Sequence, residues 1–171
     1  MSESESDLRS RAEALRLDFD AGFARAAPPL PAHEDFLAAR IGDGAYAIRL
    51  SEIAGVHRDR KITRVRSRAS HLLGVAAFRG TTAPIYDLRE ILGYSVSSPP
   101  RWLVLAQSSS PVGFAFDALE GHVRIAVDSG ALEIDRAGNR FVQGVVRTGG
   151  RSLSVLRLAS LLEAIMQNRI A

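Results

Sequence analysis

The chain repeats itself. Displaced by 70 residues, "GVAAFRGTTAPIYDLREIL" (74–92) lies on "GVVRTGGRSLSVLRLASLL" (144–162) without a gap. Gly74, Val75, Gly80, Leu88 and Leu92 meet Gly144, Val145, Gly150, Leu158 and Leu162, while Ile85 meets Val155 and Ile91 meets Leu161. Upstream, "YAIRLSEIAGVH" (46–57) resembles "VGFAFDALEGHV" (112–123) at a shift of 66. Self-similarity at a fixed spacing means that one supersecondary unit is built twice, so any fold must contain two like halves.

The content of each half is set by short apolar runs. "DFLAARI" and "AYAIRL" are separated by Gly42-Asp43-Gly44, a hairpin turn sequence. "IAGVH", "GVAAF", "API", "WLVLAQ", "VGFAF", "HVRIAV", "FVQGVV" and "LSVLRL" follow, most of them four to six residues long with Gly, Ser or Asp between them. Length and spacing make 87–92 and 157–168 short helices instead. Each half therefore reads as a hairpin, a strand, an irregular crossover, a Gly-turned strand pair and a helix. Five short strands bury little alone, and curling into a small barrel removes exposed edges. The expectation is a mostly-β fold of two five-stranded β-barrel subdomains with pseudo-two-fold symmetry.

Ahead of the repeats, residues 1–27 form an acidic leader. Leu8, Ala12, Leu15, Phe19 and Phe23 recur at helical spacing, which predicts an N-terminal amphipathic helix with Asp7 near its start. That helix either packs on its own domain or docks on a partner. Pro28, Pro29 and Pro31 make 28–35 a stiff linker, leaving 36–171 as the repeat-bearing domain.

Composition excludes several classes. The chain has no cysteine, so a thiol nucleophile, a cysteine-ligated zinc and a disulfide scaffold are out. The four histidines lack metal-ligand spacing, and no phosphate-binding loop or nucleophile elbow occurs. The start carries no secretory h-region and no segment is long and apolar enough to span a membrane, which leads to the expectation of a soluble, cytoplasmic protein. No enzyme, metal or cofactor is implied. Residues 1–35 hold eight acids and four arginines, net −4, whereas 36–171 carry 18 basic and 11 acidic residues, net +7. The second part is thus a basic domain behind an acidic leader.

The residues "FLAARIGDGAYAIRLSEIAGV", "LLGVAAFRGTTAPIYDLREILG", "VGFAFDALEG" and "VQGVVRTGGRSLSVLRLASLL" resemble, in order, a CheW-type chemotaxis coupling domain. The most specific piece follows the family pattern N-L-R-G-x-x-x-P-V-x-D-L-R as Phe78, Arg79, Gly80, Pro84, Ile85, Asp87, Leu88 and Arg89. The resemblance spans about 36–168 and implies two five-stranded barrels. It also implies a non-enzymatic adaptor between the cytoplasmic tip of a methyl-accepting chemoreceptor and a CheA-type histidine kinase, peripheral to the membrane through the receptor only. In that picture Arg79, with Phe78 and Gly80 beside it, helps hold the receptor's helical hairpin. Leu37, Leu50 and Ile53 match the apolar kinase-docking patch. The chain departs from the pattern at Ala77, where the family has Asn, at the proline-free crossover 61–74, and at Arg157, where the family often has Asp. These departures leave open a variant that binds receptor but not kinase.

One stretch supports another reading. In "RDRKITRVRSR" (58–68), Arg58, Arg60, Lys61, Arg64, Arg66 and Arg68 surround Ile62 and Val65. The stretch is either a solvated strand or loop, a patch for an acidic partner, or the contact of a basic β-barrel with nucleic acid. No aromatic pair at stacking spacing accompanies it, and nucleic acid is not expected. Asp87 and Asp117 are not read as a catalytic dyad, because Asp87 precedes a helix and suits its N-cap.

Overall fold

The computed structural model describes residues 32–167 except 68, 70 and 134–138, together with residues 11, 13 and 16. The chain divides into two compact units, Met1–Pro31 and Ala32–Ala171. In the first, Arg11, Glu13 and Arg16 have helical backbone. The apolar stripe predicted for the leader and its three prolines lie outside the described residues.

Among the described residues the second unit holds eleven strands. These are β1 (His33–Ile41), β2 (Gly44–Arg49), β3 (Ile53–Arg58), β4 (Leu72–Phe78), β5 (Thr81–Asp87), β6 (Trp102–Ala106), β7 (Gly113–Phe116), β8 (Ala118–Ala126), β9 (Leu132–Glu133), β10 (Val142–Thr148) and β11 (Arg151–Leu156). Short helices at Leu88–Ile91 and Leu158–Met166 follow β5 and β11, as the length of those segments predicts. Every apolar run picked out above is a strand, and β9 is an addition. Strand β1 starts at His33, inside the stretch read as linker, because β8 is long enough to pair with it from Ala126.

The strands form two sheets, ordered β8-β1-β2-β11-β10-β9 and β3-β6-β7-β5-β4. The repeat is visible in this order. Replacing β1, β2, β3, β4 and β5 by β6, β7, β8, β10 and β11 turns one sheet into the other, apart from β9. Each sheet takes its opening hairpin from one copy and its last three repeat strands from the other. The register agrees: Val155 lies opposite Ala47 in one sheet, and Ile85 opposite Gly113 in the other. Those pairs are related by the two sequence shifts, 70 and 66. The halves are therefore interlocked, and neither contains a complete sheet.

Neither sheet closes into a hydrogen-bonded barrel among the described residues. β8 and β9 edge the first sheet, and β3 and β4 edge the second. The sheets are nevertheless rolled. Flat strands at about 4.8 Å spacing would hold β3 and β4 about 19 Å apart. Instead the His57 ring of β3 lies 4.7 Å from the Phe78 ring of β4. The seam is made by side chains and by the crossover, whose Thr63 exchanges backbone bonds with Val75 of β4 at 2.8 and 2.9 Å. Gly74 permits this approach, since a Cβ there would overlap the Thr63 carbonyl and its φ is +145°.

Rolling gives the sheets two apolar faces and the molecule three cores. Leu37, Ile41, Ile48, Val104, Phe114, Phe116, Leu156 and Leu158 meet between the sheets. Phe36, Ala47, Ile125, Val146, Leu153 and Val155 fill the first roll, and Ala76, Phe78, Ala83, Ile85, Leu103 and Ala115 fill the second. Successive residues of β1 alternate between two cores, Phe36 to one and Leu37 to the other, so the strand is apolar on both sides.

Candidate functional site

Turn geometry singles out Arg79. Phe78 pairs with Thr81, so Arg79 and Gly80 are the two central residues of the β4–β5 hairpin. Their φ values are +43° and +84°, the pattern of a type I′ turn, which suits the right-handed twist of the strands. Arg79 and Asp59 are the residues other than glycine with positive φ among the described residues. A side chain in this conformation costs on the order of 1 kcal/mol, which glycine avoids. The repeat counterpart is the β10–β11 turn, where Gly149 and Gly150 take φ of +54° and +74°. The fold builds this turn with two glycines once and with Arg-Gly the other time.

Arg79 is exposed, and among the described residues it forms no ion pair. Beside it a groove of about 530 Å³ runs along the rolled seam, between Ala54–His57 of β3, the turn, and Leu105, Ser108 and Pro111. Burial depresses the His57 pKa, and the positive charges of Arg60 and Arg79 push it in the same direction. The imidazole is thereby disfavoured as a third cation, and the guanidinium groups supply the charge. A guanidinium over a partly apolar groove can bridge carboxylates or helix-end carbonyls of a partner, with several donors held in one plane. Gly80 shares the exposed turn, and Phe78 lines the groove from beneath it. It is 7% exposed and sits in the core of its roll, against His57 and under Arg60 at 5.7 Å. Phe78 thus supports the turn from the core and offers only a small edge to the groove.

The apolar trio separates similarly. Leu37 is 7% exposed and packs between the sheets, so it cannot form part of an open patch. The reason is the two-sided burial of β1. Leu50 and Ile53 are half-buried; Leu50 opens the short 3-10 turn Leu50–Glu52 that joins β2 to β3, and Ile53 follows it. They remain within reach of a partner.

The basic crossover is not a strand with a charged face. Among the described residues between β3 and β4 the backbone is irregular, save for the single bridge at Thr63. Arg60, Lys61, Arg64 and Arg66 are exposed on it, Arg58 is exposed at the end of β3, and Arg68 lies outside the described residues.

Close to the motif, sequence reasoning missed a buried ion network. Asp87 accepts a 2.9 Å bond from the backbone N–H of Arg89, which is the expected helix cap. It also receives the Arg89 side chain in a fork, from Nε at 2.9 Å and from Nη2 at 2.7 Å. Arg89 Nη1 donates to Asp117 at 2.9 Å and to the Ser98 carbonyl at 2.7 Å. Asp117 in turn accepts from the Gly42 N–H at 2.7 Å. Asp87 is fully buried and Arg89 is 2% exposed. The bonds that Arg89 donates to Asp87 raise its pKa further, so the group stays charged inside the protein. The two aspartates are thus bound to a central cation and to backbone, which leaves them no part in acid–base chemistry. The D-L-R spacing was the available signal, since a cap residue two positions before an arginine places both at one helix start.

The second helix start is built otherwise. Arg157 occupies the cap position and provides no side-chain bond. Glu52, from the 3-10 turn of the first copy, accepts the Leu158 N–H at 2.6 Å instead. The departure at Arg157 is thereby compensated from the other half of the chain.

Comparison with known proteins places the chain in a family. The CheW-like domain family matches residues 35–166. "Chemotaxis protein CheW" of Bacillus subtilis (strain 168) is 22% identical over 124 residues, covering 69% of this chain and 80% of the relative. The protein of the same name from Thermotoga maritima is 27% identical over 136 residues, covering 77% and 89%. Among solved structures, scaffolding protein TtCheW from Thermoanaerobacter tengcongensis superimposes with a TM-score of 0.65 at 18% identity, over 75% of this chain and 90% of that one. With the match covering most of its length, this chain belongs to the CheW-like domain family.

Proposed function

We propose that the protein is a chemotaxis adaptor that couples a methyl-accepting chemoreceptor to a CheA-type histidine kinase. Membership of the CheW-like family supports a scaffold without enzymatic activity. The observation that carries the finer reading is Arg79, an exposed cation held in a left-handed turn conformation that its repeat counterpart fills with Gly149. A position where the fold accepts glycine but this copy keeps a strained arginine is best accounted for by recognition. In this reading Arg79 engages carbonyls or carboxylates at the receptor tip, with Gly80 shaping the turn and Phe78 supporting it from the core. Leu50 and Ile53 supply the accessible apolar contact for the kinase, with Ile53 packed against the core that holds Leu37. A coupling protein transmits a state by binding both partners with different free energy in each state, so no cofactor is required.

The test is a binding assay with a receptor tip fragment and a kinase regulatory domain. Arg79→Glu is expected to weaken receptor binding by roughly tenfold or more and to leave the kinase affinity unchanged. Leu50→Asp is expected to do the reverse. Wild-type affinity of both variants for both partners would contradict the assignments. Receptor binding with no measurable kinase binding by the unmodified chain would favour an adaptor restricted to receptors.

A further inference from the structure

The crossover carries a second groove that the adaptor reading does not use. It measures about 580 Å³ and lies between Arg60, Ile62 and Arg64 on one side and the connection 96–100 on the other, with Leu73 in its lining. Its far wall is fixed from within. Arg89, held by Asp87 and Asp117, donates to the Ser98 carbonyl, and two prolines follow at 99 and 100. The other wall is anchored where Thr63 bridges Val75. A groove with both walls held in this way is shaped before any partner arrives.

Its chemistry is one-sided. Arg58, Arg60, Lys61, Arg64 and Arg66 are exposed along the crossover, and Asp59, the acid among them, is already engaged by Arg58 and Arg101 at 3.2 and 3.3 Å. Among the described residues neither Arg60 nor Arg64 forms an ion pair with an acid. Between the cations apolar side chains are interleaved with Ser97 and Ser98: Val96 is 41% exposed, and Ile62, Leu73 and Pro100 are half-buried. We infer that this groove is a docking site for an acidic polypeptide segment bearing apolar side chains, with Arg60 and Arg64 pairing its carboxylates and Val96 and Ile62 receiving its apolar groups. Charge complementarity steers such a segment, and the apolar floor retains it. The lining has no aromatic ring to stack a base, which favours polypeptide over single-stranded nucleic acid.

Fluorescence anisotropy of the full chain with a labelled synthetic peptide of Glu and Leu, and separately with oligouridine RNA, tests the site. The expected result is saturable peptide binding that falls with added salt. It should weaken roughly tenfold or more in Arg60→Glu/Arg64→Glu and measurably in Val96→Asp, with thermal unfolding unchanged in both. Arg79→Glu should leave it intact, which separates this groove from the proposed receptor site. Absence of peptide binding, indifference to the crossover substitutions, or loss through Arg79→Glu alone would overturn the inference. Tighter binding of the RNA, sensitive to the same crossover substitutions, would assign the groove to nucleic acid and equally overturn it.

Discussion

The turn at Arg79-Gly80 and the turn at Gly149-Gly150 have the same backbone, sit at the same place in equivalent strand pairs, and differ in one side chain. The helix starts just downstream differ as well. The first is capped by its own Asp87 and tied by Arg89 to Asp117, whereas the second has Arg157 at the cap and borrows Glu52. What the copies share, the turn glycines and the leucines of the helices, is what the fold requires of both. What only the first copy has falls into two classes. Arg89 is buried and satisfied, so its asymmetry is structural. Arg79 is exposed and strained, so its asymmetry points outward.

The largest effect is expected at the buried member of this pair. Arg89→Ala leaves Asp87 and Asp117 facing each other without their cation, and should cost about 3–5 kcal/mol in urea unfolding if the chain folds at all. Its counterpart is already Ala159, so the second copy shows what the helix start looks like without the network. Replacing Asp87, Arg89 and Asp117 together by apolar residues should restore much of that stability, because an absent ion network is less harmful than a broken one. Glu52→Ala comes next. It removes the borrowed cap from Leu158 and should cost about 1 kcal/mol, read as a lower unfolding midpoint. Smallest is the exchange of the turns themselves. Gly149→Arg should destabilise by up to about 1 kcal/mol, since it copies the strained conformation into a turn that has no evident use for it.

Much of this fold was legible in the chain. The repeat predicted two like halves, and the apolar runs and glycine turns located ten of the eleven strands. The interlocking was not legible. Identical copies pair equally well within themselves or with each other as far as periodicity goes, and only three-dimensional packing decides which hairpin joins which strand trio. The closed barrels expected from five strands became rolled open sheets, because the crossover and side chains seal the seam without a ladder. Leu37 was carried over from the family pattern, and the strand offered no check on its exposure. In β1 both faces are buried, so "FLAA" carries no alternation from which an outward residue could be told. Arg79 itself was legible from its motif, but not its strain, which is a property of φ. Glu52 left no signal at all, since its partner Leu158 is over a hundred residues away.

The central claim is that Arg79 is kept for recognition at a position where the fold is content with glycine. Arg79→Gly tests it directly, by turning the first hairpin into a copy of the second. Unfolding and affinity for a receptor tip fragment would be measured on the same preparation. Equal or slightly higher stability, within about 1 kcal/mol, is expected together with receptor binding weakened roughly tenfold or more. Receptor affinity indistinguishable from the unmodified protein would contradict it.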